Sequence, residues 1–263
     1  MPHRTIVTSR PSGAGSLAYG ARMRKGFAVV VAACVIAACS GGVSNTGGSA
    51  SSGSSAASSS GSASSADQAV ADRAVLKLQD LPAGYVAKTD ASDASSSSDA
   101  DTSKEAKDCF RAATGKDADA ADQFQTGQAS ATFSQSAAAG EQITGKVELF
   151  SDTAALSDQL AALSKPAVQD CLAQAFKTQF AATNAQIDKL EVTPTSLSEV
   201  GDESAGFIVS AKLTASGVSI DVGIEIDRVR SGRAGLTVTV SSLKGPADHE
   251  LARQAAVAMV QRL

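Results

Sequence analysis

An alternation of apolar and polar residues from Glu203 to Ser242 is the clearest pattern in the chain. Three stretches of this region repeat with a period of two residues, which is typical of β-strands that bury one face. Breaks at residues 215–217 and 231–233, each containing glycine, separate the stretches. The pattern predicts a three-stranded antiparallel meander whose apolar residues share one face of the sheet. Those residues are Ala205, Phe207, Val209, Ala211, Leu213, Val218, Ile220, Val222, Ile224, Ile226, Leu236, Val238 and Val240.

The rest of the chain alternates between strand and helix patterns. The pattern predicts a strand from Ala74 to Leu78, a helix over 103–113, and strands over 129–135 and 142–150. It then predicts a helix over 152–182 that is interrupted near Pro166. A last helix is predicted over 246–263, with Asp248 as its cap. The helix over 103–113 is expected to stop at Gly115. The predicted fold class is therefore α+β, an antiparallel sheet with helices packed on it.

The second face of the meander carries small and polar residues. A solvated sheet face is one interpretation; a flat face that receives a partner protein or an apolar ligand is the other. Aligning the hairpins places Asp221, Glu225 and Asp227 among these residues. The candidate binding face comprises Gly206, Ile208, Ser210, Gly223, Thr237 and Thr239, with Ser219 beside them.

The N-terminal segment has the pattern of an export signal. Arg22, Arg24 and Lys25 precede an uncharged, mostly apolar run over residues 26–38, which is too short to span a bilayer. Residues 1–38 are therefore predicted to be a signal peptide. Since Met23 still leaves two basic residues ahead of the apolar run, we expect translation to begin there.

The sequence Ile36-Ala37-Ala38-Cys39 at the end of this run resembles the lipobox of bacterial lipoproteins. The resemblance implies a thioether-linked diacylglycerol on Cys39, which would become the first mature residue and anchor the protein to the extracytoplasmic side of the cell membrane. Two or more acyl chains give stable anchoring. Ordinary secretion with a coincidental cysteine is the alternative.

Composition divides the mature chain into a tether and one domain. Residues 39–67 are almost entirely Ser, Gly and Ala after the cysteine, a composition that cannot form a packed core. Residues 68–263 are long enough for a single extracytoplasmic domain, with a flexible acidic loop at 89–102. Without residues 1–38 the chain has 18 basic against 27 acidic residues. Such an acidic surface disfavours nucleic acid as a partner.

Cysteine usage points to a disulfide in this domain. If the signal removes Cys34 and lipid occupies Cys39, only Cys109 and Cys171 remain. In an oxidising compartment two thiols allow one connectivity. A Cys109–Cys171 disulfide is the prediction; two buried thiols and a redox pair are the alternatives.

The order of elements, the turn at residues 81–85, the two domain cysteines and the late meander are similar to actinobacterial lipoproteins with a PsbP-like α/β sandwich. They also resemble, more distantly, the extracellular sensor domains of mycobacterial serine/threonine kinases. The resemblance implies a non-enzymatic binding or scaffolding module. Since this chain lacks the second disulfide that the kinase sensors generally carry, a sensing role is the weaker expectation.

Candidate catalytic and metal-binding residues are few. After signal removal His249 is the remaining histidine, which excludes a metal site built on histidines, and we interpret it as a surface or capping residue. We expect neither an acidic residue nor Ser241 within hydrogen-bond reach of it. The D-x-D stretches at Asp99 and Asp117 lack the glycine and glutamate of a calcium-binding loop. We therefore predict no enzyme, no cofactor and no metal.

These inferences predict a lipid-anchored envelope lipoprotein whose domain binds or scaffolds another envelope protein. A carrier or sensor that holds a small apolar or cell-wall ligand between sheet and helices is the alternative.

Overall fold

The computed structural model describes residues 64–88, 107–108, 110–135, 140–183 and 185–263. Within these ranges seven strands form one antiparallel sheet with helices on it, which confirms the α+β class. The elements are α1 (Ser65–Ala74), β1 (Tyr85–Ala87), β2 (Gln125–Gln135), β3 (Gln142–Phe150), α2 (Ala154–Leu163), α3 (Pro166–Ala182), β4 (Gln186–Thr195), β5 (Glu203–Ala215), β6 (Val218–Ser231), β7 (Ala234–Ser242) and α4 (His249–Val260). Short 3-10 turns lie at Leu78–Asp80 and Asp122–Phe124.

The strand order across the sheet is β1-β2-β3-β7-β6-β5-β4, and every neighbouring pair is antiparallel. The predicted meander is present as β5, β6 and β7. The strand predicted over 142–150 has those bounds, and β2 begins four residues before its predicted start. Because β7 pairs with β3 and β5 pairs with β4, the meander lies between β3 and β4 in the sheet.

The register contradicts the prediction that all three apolar stripes share one face. Directly opposed residues of an antiparallel pair point to the same side. Phe207 opposes Ile226, and Ile226 opposes Thr239 rather than Val238 or Val240. The apolar residues of β7 therefore lie on the opposite face from those of β5. Period-two alternation identifies the two faces of each strand, but a one-residue change of register exchanges them between strands.

The apolar side of the sheet thus changes partway across it. We call the side that carries Val238 and Val240 the α4 face, and the side that carries Phe207 and Ile224 the α3 face. The change occurs within β6, where buried Ile226 lies on the α3 face and buried Val229, opposite Leu236, lies on the α4 face.

Each face therefore has its own core. On the α4 face, α1 and α4 pack over β2, β3 and β7, and the core includes Leu76, Met259 and Val238. On the α3 face, α3 and α2 pack over β4, β5 and β6. The ring centroids of Phe176 on α3 and Phe207 on β5 lie 6.1 Å apart in an edge-to-face arrangement. The two cores thus lie on opposite faces of the sheet.

The strand predicted from Ala74 to Leu78 is wrong, because α1 runs through Ala74 and Leu78 begins a 3-10 turn. Leu76 is buried because the chain leaving α1 presses it against the sheet. A short apolar run has no periodicity that distinguishes a strand from a helix end. α1 also begins at Ser65, so residues 65–67 are helical and the predicted tether ends before them.

The other helix boundaries follow their local signals. α2 ends at Leu163 and α3 begins with Pro166, where the missing N–H of proline leaves no bond unmade. Residues 107–108 and 110–114 are helical, and Gly115 follows them with a φ of +70°. α4 begins three residues later than predicted, and the carboxylate of Asp248 accepts a hydrogen bond from Leu251 N at 3.1 Å, as expected of its cap.

Several predictions fall on residues outside the described ranges. They concern the signal peptide over 1–38, Cys39, most of the tether, the acidic loop at 89–102, and Cys109. In the part of the chain that is described, no helix has the length and apolar character needed to cross a membrane.

Candidate functional site

The six residues of the predicted binding face do not form one surface. Across β5 and β6, Ser210 opposes Gly223, Gly206 opposes Asp227 and Ile208 opposes Glu225. These four members of the predicted face therefore lie on the α4 face. Thr237 and Thr239 lie on the α3 face, opposite Arg228 and Ile226. The single face that was inferred is therefore two half-faces on opposite sides of the sheet.

Three of these six positions, Gly206, Gly223 and Thr239, are buried. A Cβ at Gly206 would be 2.4 Å from the Ile226 carbonyl oxygen, and one at Gly223 would be 2.4 Å from the Gly245 oxygen in the segment before α4. Both glycines serve close packing rather than ligand binding. Ile208 and Ser210 remain half-buried on the α4 face.

Thr237 and Thr239 belong to a larger set of polar residues on the α3 face of β2, β3 and β7, in which Thr144, Thr239 and Ser241 are buried and Ser130 is exposed. Thr132, Thr144 and Thr239 lie opposite one another in a row, and the hydroxyl oxygens of Thr132 and Thr144 are 3.1 Å apart. The helices that pack most on these strands, α1 and α4, lie on the other face. We call this surface the hydroxyl array: Ser130, Thr132, Ser134, Gln142, Thr144, Lys146, Thr237, Thr239 and Ser241.

A buried ionic network lies beside the hydroxyl array. Glu148 is 3 % exposed, and its two carboxylate oxygens lie 2.8 Å from Lys146 Nζ and 3.3 Å from Arg228 Nη2. Arg228 also donates to Gln159 of α2 at 2.7 Å. Burial, followed by the charge of Glu148, raises the pKa of nearby Asp122 to about 6. The network joins α2 to the middle of the sheet.

A second polar cluster lies on the α4 face, where α4 begins. We call it the acidic pocket, and it consists of Glu225, Asp227 and His249. Both carboxylates are fully buried, whereas the side chain of His249 is 49 % exposed. Glu225 Oε1 and His249 Nδ1 lie 2.5 Å apart. The carboxylates stand there because Glu225 opposes Val240 and Asp227 opposes Val238 across β6 and β7.

The acidic pocket leaves buried oxygens without partners. Among the described residues, Glu225 Oε2 and both carboxylate oxygens of Asp227 have no hydrogen-bond partner. Burial, and then the neighbouring Glu225 carboxylate, raises the pKa of Asp227 to about 8. Two carboxyl groups in an apolar site cannot both stay ionised without a compensating charge.

The expectation that no acidic residue lies within hydrogen-bond reach of His249 is wrong, because Glu225 does. Alternation along β6 assigned Glu225 and Asp227 to a polar face, and the change of apolar side within β6 buries that face under α4. Two charged residues opposite the valines of β7 were the available signal. Only the register between β6 and β7 decides on which face these two residues lie, and that register is set by tertiary packing.

Cys171 lies buried on α3 and is disulfide-bonded. Its predicted partner, Cys109, lies outside the described residues, so the pairing itself stays a prediction. The next residue, Phe110, packs against the core of the α3 face that contains Leu172 and Phe176.

No family model matches the chain, and no curated protein matches it at a significant level.

Proposed function

We propose that the protein is a cell-envelope lipoprotein, anchored on the extracytoplasmic side through lipid on Cys39, whose domain is a non-enzymatic binding module for another envelope protein. The lipobox residues 36–39 and the Ser/Gly/Ala-rich tether support the anchor. The finer fold assignment, a PsbP-like sandwich, is part of the same proposal and rests on the order of elements.

The hydroxyl array is the observation that carries the binding role. Its rows cross three adjacent strands, so its hydroxyl groups are held by the sheet before any partner arrives. A hydroxyl both donates and accepts hydrogen bonds, and threonine loses little side-chain entropy when it is fixed. Val86, 46 % exposed opposite Ser134 at the edge of the array, adds an apolar contact. The accessible members of the array, exposed Ser130 and half-buried Thr132, Ser134 and Thr237, suit the polar face of a protein.

The carrier alternative finds less support. A Cβ at Gly145 would lie 2.5 Å from Leu76 Cβ and 3.0 Å from Met259 Sδ, so sheet and helices are in direct contact there. On the other face Phe176 and Phe207 fill the space between α3 and β5. An apolar ligand between sheet and helices would have to displace these side chains.

A hydrolytic role also finds less support, although His249 and Glu225 form the kind of pair that orients a catalytic base. A triad needs a serine, threonine or cysteine at the other imidazole nitrogen. In the described part of the chain, the hydrogen bond of His249 is with Glu225.

Site-specific photo-crosslinking in the native host tests the binding role. A photoreactive amino acid is placed at Ser130 or Thr237 of the array and, as the matched control, at exposed Lys212 on the opposite face. We expect Ser130 and Thr237 to give one adduct of the same mass, Lys212 to give none, and Cys39→Ala to abolish the adduct. Equal adducts from all three sites would contradict the proposal. A stoichiometric lipid in native mass spectrometry would favour the carrier.

A further inference from the structure

We propose that the acidic pocket is a binding site for a divalent transition-metal ion, with Zn²⁺ as the best match. One ligating atom from each of Glu225, Asp227 and His249 lies within 4.8 Å of the others. The site is separate from the hydroxyl array, which lies on the other face of the sheet.

The donor set selects the class of ion. It offers one imidazole nitrogen and two carboxylate groups, a combination that Zn²⁺ binds in tetrahedral sites with water or another donor in the fourth position. Ca²⁺ takes 6–8 oxygen ligands and Mg²⁺ prefers an octahedral oxygen shell, which three residues including a histidine do not supply.

The buried oxygens indicate that the pocket is built for a cation. Glu225 and Asp227 are 0 % exposed, and three of their four oxygens have no partner among the described residues. The nearest arginine along the strand, Arg228, points to the opposite face and binds Glu148. Unpaired carboxylates in an apolar site are costly, and a bound metal ion is one of the few ways to satisfy them. The described side chains therefore provide no cation to balance these two carboxylates.

The acidic pocket is accessible from solvent. His249 is the first residue of α4, with a side chain that is half exposed, so an ion reaches the pocket from solvent along the imidazole. Asp227 Oδ1 lies 2.5 Å from where a Cβ of residue 206 would be, so glycine at this position leaves the carboxyl group its place. The ion would replace the proton between Glu225 and His249 and move these two atoms to about 3 Å apart, as metal–ligand distances of about 2 Å require.

Calorimetric titration of the full lipidated protein tests the site. The protein is purified in detergent, stripped with EDTA and titrated with ZnCl₂, CaCl₂ or MgCl₂. We expect one Zn²⁺ per chain and much weaker binding of Ca²⁺ and Mg²⁺. His249→Ala and Asp227→Asn should each weaken Zn²⁺ binding by more than about 10-fold, the loss that even indirect changes around a metal cause.

Glu250→Gln is the matched control, since Glu250 neighbours His249 on α4 but pairs with Arg253. It should bind Zn²⁺ like the unchanged protein. Because His3 precedes the predicted cleavage site, His249 supplies the single imidazole NMR signal of the mature chain, and this signal should shift at one equivalent of Zn²⁺.

Absence of Zn²⁺ binding, or equal binding by the His249→Ala variant, would overturn the proposal and leave a proton-sharing carboxyl pair as the role of the pocket. Equal affinity for Ca²⁺ and Zn²⁺ would overturn it as well. If Asp227→Asn does not fold, His249→Ala decides, because its half-exposed side chain is not needed to fill a core.

Discussion

Gly206 and Asp227 stand opposite each other on β5 and β6, and the absent side chain of the glycine leaves the space into which the carboxyl group of Asp227 extends. A Cβ at position 206 would lie 2.5 Å from Asp227 Oδ1 and 2.4 Å from the carbonyl oxygen of Ile226. The first atom belongs to a buried side chain and the second to backbone, so neither can move away easily. The close contact therefore holds the carboxyl group of Asp227 in its place in the acidic pocket.

Gly206→Ala should therefore destabilise the fold. Overpacking of a tight site costs about 1–3 kcal/mol in free energy of unfolding, which urea titration measures directly. Ser210→Ala is the control, since Ser210 is half-buried on the same face of the same strand. It should change stability by no more than about 0.5 kcal/mol. Equal losses in the two variants would mean that the close contact at Gly206 relaxes without cost.

The partly buried Asp122 predicts a pH dependence of stability. Its folded-state pKa of about 6 lies above the ordinary aspartate value of 3.8, because burial and then the charge of Glu148 disfavour the ionised form. The raised value means that folding favours the protonated acid. The contribution of Asp122 to the free energy of unfolding is therefore complete below the pKa that it has in the unfolded chain. This contribution is lost as the pH rises through about 6.

Asp122→Asn removes this loss. The variant should match the unchanged protein near pH 4 and exceed its free energy of unfolding by about 1–3 kcal/mol above pH 7, since each unit of pKa shift corresponds to about 1.4 kcal/mol. Urea unfolding across this pH range measures the difference. Asp221→Asn, at an exposed site, should show no such pH-dependent gain. A gain that is constant with pH would contradict the assignment to Asp122.

The Glu148 network predicts a large cost for one substitution. Glu148→Ala leaves Arg228, which is 9 % exposed, without its carboxylate and removes the partner of Lys146. Breaking a buried ion pair on one side costs about 3–5 kcal/mol in free energy of unfolding. Chemical denaturation should detect this loss.

The matched control is Glu191→Ala, which breaks an ion pair with Lys189 on β4. Both of its side chains are more than half exposed. An exposed pair contributes about 0–1 kcal/mol, so the control should unfold almost like the unchanged protein. Similar losses in the two variants would show that the Glu148 network is not desolvated.

Local signals predicted the elements well where one residue or one period decides them. Pro166 marks the start of α3, Asp248 caps α4, and period-two alternation identifies β3 and the meander. The end of α1 was missed because the apolar run around Leu76 is too short to show a period. Predictions that depend on single residues therefore succeeded more often than those that depend on pairs.

The candidate sites depend on pairs. Whether Thr239 shares a face with Ile226 or with Asp227 is decided by the register of β6 and β7, and the alternation within each strand is compatible with both. The same register buries Glu225 and brings it to His249, 24 residues later in the chain. Sequence patterns thus supplied the residues of both polar clusters but not their assembly.

The disulfide of Cys171 predicts how the domain is cross-linked. If lipid occupies Cys39, Cys109 is the partner that remains in the mature chain, and peptide mapping without reduction should recover the two peptides linked. A loop of about 60 residues gives a loss of about 4 kcal/mol in free energy of unfolding when both cysteines are replaced by serine, because the unfolded chain gains freedom. Cys39→Ser is the control: it should lose the lipid but keep the link and the stability of the domain. A peptide that joins Cys171 to Cys39 would contradict both the pairing and the lipid anchor, since a cysteine in a disulfide cannot carry a thioether.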